Sequence, residues 1–148
     1  MARRYAVTGT DTNTAATTQM GITSAATVRP ILYMLKISSG ATPADNAAEY
    51  FIQRATAAGT STAFTPVALD PADPASLASA GVNHTVEPTY TAAAILDRIA
   101  TNMRVTYQWI VPPEFGLKMP ATAANGLGLL VNATTSAVAM AYTMHFEE

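Results

Sequence analysis

The 148-residue sequence carries eight basic and ten acidic side chains for a net charge of -2, and only 12% of its residues are charged against 49% apolar. So small a charge exerts no long-range pull on nucleic acid or on an anionic membrane surface, which excludes both as main partners. Having no cysteine excludes a disulfide framework and a thiolate metal site, while the length fits one domain that buries roughly 70% of its unfolded surface. The charged share is about half that of an ordinary soluble domain, so Thr, Ser and Asn must supply most of the polar surface, and such a surface is weakly defended against association.

The chain begins with Arg3-Arg4, followed by Thr, Ala and Asn rather than by the apolar run of an export signal, so signal-directed secretion is not expected. From Asp11 to Thr27 the composition is too polar and too weakly patterned for a core element. Residues 1–29 are therefore expected to form an extended N-terminal arm and residues 30–148 the folded domain, the arm either docking on a partner or folding back on its own domain. Residues 31–37 (ILYMLKI) read as a strand buried on both faces and stopped by Ser38-Ser39-Gly40. After a loop with Pro43, Asp45 and Asn46, residues 49–55 (EYFIQRA) resume strand chemistry.

Residues 64–69 form a strand that Pro66 splits or confines to an edge, and the following DPADPASLASAG holds at most one turn of helix, around residues 75–78. Pro88 makes residues 84–91 an edge strand. AAAILDRIA has helical propensity, whereas residues 104–111 alternate and put Val105, Tyr107, Trp109 and Val111 on one core-facing side. Residues 126–131 are another strand. The clearest period-2 pattern is at 138–146, where Val138, Met140, Tyr142, Met144 and Phe146 share a face. About eight short strands with almost no helix predict an all-β fold, an eight-stranded jelly-roll β-sandwich in which 138–146 pairs with 31–37.

No constellation carries catalytic chemistry, and the chain is not expected to be an enzyme or to hold a cofactor. His84 and His145 are the two histidines, without the His-x-His spacing of a metal-binding jelly roll. No Gly-x-Ser-x-Gly elbow exists, Asp70-Pro-Ala-Asp73 reads as a turn rather than a calcium loop, and Gly126-x-Gly128 reads as close backbone packing. Trp109 raises the alternative of a glycan-binding β-sandwich or a head-fibre or tail attachment component, although the apolar neighbours on its face favour burial.

Arg3-Arg4-Tyr5-Ala6-Val7, ATPADNAAEY (41–50), LDPADPAS (69–76), EPTYTA (87–92), ATAANGLGL (121–129) and the terminal HFEE follow one another along almost the whole chain. In this order they resemble the small jelly-roll cement or decoration proteins of tailed bacteriophage heads. The resemblance implies a homotrimer on the head surface of the virion, bound to the major capsid protein and stabilising contacts between its subunits. In that setting Arg3, Arg4 and Tyr5 of the arm would anchor the chain to the capsid, the arginines pairing with acidic groups.

Overall fold

Short β-branched and aromatic runs between Gly, Pro and Asx turns form strands rather than helices. The computed structural model describes residues 2–148, and among these are twelve strands: β1 (Arg4–Thr12), β2 (Thr18–Thr23), β3 (Ile31–Ser39), β4 (Ala47–Ala57), β5 (Thr60–Phe64), β6 (Val67–Ala68), β7 (Ser79–Val86), β8 (Thr89–Asn102), β9 (Tyr107–Ile110), β10 (Leu117–Lys118), β11 (Gly126–Thr134) and β12 (Ala139–Glu147). They build two antiparallel sheets packed as a β-sandwich. One runs β3-β12-β1-β6, with β9 and β10 both pairing along the outer side of β3, and the other runs β5-β7-β2-β11-β4-β8.

Alternation decides which side chains meet between the sheets. Tyr5, Val7, Leu32, Leu35, Ile37, Met140, Tyr142, Met144 and Phe146 come from the first sheet; Met20, Ile22, Tyr50, Ile52, Leu127, Leu129 and Val131 come from the second, and all are buried. Each such side chain contributes roughly 1.5–3 kcal/mol of apolar burial. Asn13, also buried, accepts a hydrogen bond from the Tyr142 hydroxyl at 3.3 Å and so closes a polar contact inside this core. The expected partnership of 138–146 with 31–37 is present, running from Met140 opposite Ser39 to Glu147 opposite Ile31. Pro66 separates β5 from β6, which lie at edges of different sheets.

The N-terminal segment departs from expectation. Of the expected arm, residues 1–29, the described part is not extended away from the domain: β1 pairs with β12 along its whole length, and β2 lies between β7 and β11 inside the second sheet. Each of these strands needs only two large inward residues, Tyr5 and Val7 in one and Met20 and Ile22 in the other, so the Thr and Ala around them dilute the signal. AAAILDRIA is also strand, within β8, because pairing with β4 outweighs a weak helical preference. Residues 75–78 form no helix. Instead the Glu148 carboxylate accepts hydrogen bonds from the Ser76 hydroxyl and from the backbone N–H groups of Leu77 and Ala78 at 2.9–3.1 Å. The Asp70 turn is as expected, with its side chain accepting from Ala72 N–H and its carbonyl from Asp73 N–H.

Candidate functional site

The register of the first sheet assembles an apolar row on the face turned away from the core. Val67 stands opposite Ala6, Ala6 opposite His145, His145 opposite Met34, and Met34 opposite Ile110. Residues directly opposite across antiparallel strands share a face, so this row crosses five strands, β6-β1-β12-β3-β9. Its two ends are open, Val67 at 59% and Ile110 at 63% exposure, whereas Met34 is buried in the middle. Phe115, in the short 3-10 turn at Pro113–Phe115, is exposed beside the same sheet. The neighbouring row, Thr8, Thr143, Lys36 and Gln108, carries one charge.

At one flank the Arg4 Nε donates to the Glu147 carboxylate at 3.0 Å, and the guanidinium lies 5.8 Å from the centre of the Tyr33 ring. That ring meets His145 edge-on at 6.1 Å. Burial lowers the pKa of His145 below the ordinary histidine range and nearby Lys36 adds to this, so the imidazole is neutral at pH 7. Burial likewise raises the Tyr33 phenol. The face therefore offers a largely apolar, half-buried surface flanked by one internally balanced ion pair and carrying the single charge of Lys36 in the neighbouring row.

Of the three expected anchoring residues, Arg3 and Arg4 are exposed, Arg4 being already paired within the chain. Tyr5 is not available to a partner: at 0% exposure it stacks on Phe146 with ring centres 5.5 Å apart, and its hydroxyl donates to the Pro74 carbonyl at 3.0 Å. Sequence reasoning missed Ile110 and Val67. For Ile110 a signal was there, since a large apolar residue stands on the polar phase set by Arg104, Thr106 and Gln108. Val105 does not belong to the core as expected and is 55% exposed, because β9 starts only at Tyr107. Trp109 lies opposite Leu35 and Tyr107 opposite Ile37, so both turn inward, partly buried against the core.

The other outer face carries a cleft of about 200 Å³ lined by Gly21, Ala55, Ser61, Ala63, Gly81 and His84 among others. Asn83 adopts a left-handed φ of 52° that breaks the alternation of β7 and turns His84 over Gly21. The imidazole Nδ1–H donates to the Thr18 carbonyl at 3.1 Å, which leaves Nε2 as an acceptor over the glycine. Burial lowers the pKa of this histidine despite Glu87 nearby. Glu87 accepts from both the Thr18 N–H and hydroxyl, and the Thr18 hydroxyl meets the Tyr90 hydroxyl at 2.7 Å, a network that ties β2 to the turn before β8. Gly128 admits the Tyr90 ring and Gly126 the Ile22 carbonyl, the close packing expected of Gly126-x-Gly128, and Gly81 likewise admits Ser61.

The two histidines stand on opposite outer faces of the sandwich, separated by the core, and cannot share one ion. Among the described residues no group of three or more His, Asp or Glu is placed to hold a metal, and no helix is long and apolar enough to cross a membrane. Comparison of the chain with protein-family models, curated proteins and solved structures finds no match.

Proposed function

We propose that this chain is a structural virion protein that binds the outside of an icosahedral phage capsid as a homotrimer and stabilises contacts between major capsid subunits. We also read its sandwich as a jelly roll. Eight strands support the latter: β1-β12-β3-β9 on one sheet and β2-β11-β4-β8 on the other, so that first pairs with last, second with next to last, and so inward. This nested winding supports the jelly-roll reading, an architecture common among viral capsid domains. On this reading β5, β6 and β7 are an insertion between β4 and β8 that widens both sheets.

The observation that carries the functional reading is the apolar row across the first sheet, open at Val67 and Ile110. A stable contact buries about 800 Å² per partner, roughly a ninth of the 6980 Å² that the chain exposes. The low charge of the neighbouring row suits permanent packing, since few ions need be desolvated. The sequence resemblance points to the same role, and the major capsid protein and further copies of this chain are the partners it implies. Glycan stacking draws no support from Trp109, whose ring faces Leu35.

Quantifying the chain in purified particles tests the proposal: it is expected in fixed ratio to the capsid protein, and its absence from particles overturns the reading. Ile110→Lys, at an exposed position, should leave the fold intact and weaken binding to particles lacking the chain by more than about tenfold.

A further inference from the structure

Three cations that form no ion pair gather in one place. Arg29, Arg54 and Lys118 line one cleft of about 280 Å³ together with Thr56, Thr91, Met119, Pro120 and Asn125. This cleft holds three of the eight basic residues and none of the ten acidic ones, on a chain whose net charge is -2. Arg29 and Lys118 also line the adjoining hollow beside Ile31, so the cationic surface continues along the seam. Among the described residues the ion pairs are Arg4–Glu147 and Arg98–Glu49, which leaves the three cleft cations without a carboxylate partner.

The fold puts them together from distant parts of the sequence. Arg29 precedes β3 and Lys118 ends β10, whose residues pair with Ile31 and Leu32 at the edge of the first sheet. Arg54 lies on β4 of the second sheet, opposite the buried Leu127, so its side chain extends from the inner side of that sheet. There its guanidinium donates to the Lys118 carbonyl at 2.9 Å and bridges the seam between the sheets. This bond ties one guanidinium to the cleft wall, while Arg29 and Lys118 are exposed.

We infer that this cleft binds a phosphate monoester. Three like charges held in one recess repel one another, and a bound anion relieves that repulsion. A carboxylate or a phosphodiester brings one negative charge, whereas a phosphate monoester brings close to two near pH 7, with acceptor oxygens suited to guanidinium forks. Thr91 and Asn125 add uncharged polar residues to the wall. The site lies at the sandwich edge, where Lys118 stands opposite Ile31 in the row beside the apolar one, and anion binding there does not depend on the capsid proposal.

The test is a titration of the isotope-labelled full chain with phenyl phosphate, acetate and a short single-stranded DNA, followed by two-dimensional NMR. Phenyl phosphate should give saturable shifts confined to residues around 29, 54, 118 and 125, weakening as salt is raised. The double variant R29Q/K118Q changes only exposed side chains and should lose affinity by more than about tenfold, while Arg104→Gln, an exposed cation elsewhere, should leave it unchanged. Absence of saturation, equal loss in the Arg104 control, acetate binding as tightly as the phosphate, or DNA binding without monoester binding would each overturn the inference.

Discussion

Replacing Tyr5 distinguishes a core strand from a loose arm. Its ring is fully buried, stacked on Phe146 at 5.5 Å, and its hydroxyl donates to the Pro74 carbonyl at 3.0 Å. Truncating a buried aromatic to alanine costs about 3–5 kcal/mol, through lost transfer energy and the cavity that remains. Against a total stability of about 5–15 kcal/mol this is a large fraction. For a domain of this length each kcal/mol corresponds to about 2–4 °C, so Tyr5→Ala should lower the melting temperature by roughly 6–20 °C. Tyr5→Phe keeps the stack and removes only the hydrogen bond, which predicts a loss of about 1 kcal/mol, or roughly 2–4 °C. Arg4→Ala, which removes an exposed ion pair, should change stability by less than about 1 kcal/mol. Calorimetry on the three variants provides the measurement. A melting temperature for Tyr5→Ala within about 2 °C of the parent would refute the placement of β1 in the core.

The glycines of the second sheet give a paired prediction: a Cβ at Gly21 meets nothing closer than 3.5 Å, whereas one at Gly126 runs into the Ile22 carbonyl. Gly21→Ala should therefore raise stability by up to about 1 kcal/mol and Gly126→Ala should lower it, as read from urea midpoints. Glu148→Ala should speed amide exchange at Leu77 and Ala78, whose N–H groups it accepts, and cost about 1–2 kcal/mol. A third expectation concerns alkaline pH. Burial raises the phenols of Tyr5, Tyr50, Tyr90 and Tyr142 above the ordinary value of 10.0. Below pH 10 both states keep these protons and stability is whole; above it the unfolded chain ionises first, so stability falls as pH rises. Urea midpoints that stay level to about pH 11.5 would contradict this.

The sequence by itself determined the class of the fold and much of its interior. The alternation at 138–146 named Val138, Met140, Tyr142, Met144 and Phe146 as one face; the last four are buried, and Val138, just before β12, is partly so. The apolar run at 31–37 named their partner strand. Turn residues placed the break at Pro66 and the Asp70 turn, because φ restriction and local side-chain hydrogen bonds act within a few residues.

Tertiary structure decided what depends on neighbours distant in sequence. Residues 4–23 look like a tail in isolation, since half of each strand is Thr, Ala or Gly, yet their few large side chains complete both sheets. The apolar row from Val67 to Ile110 exists only through the registers of four separate strand pairs. Likewise Arg29, Arg54 and Lys118 are unremarkable in the sequence and become a cationic cleft only where β4 meets the edge of the opposite sheet. Periodicity fixes which way a side chain points along its own strand, whereas which strand lies beside it is set by long-range pairing that no local pattern encodes.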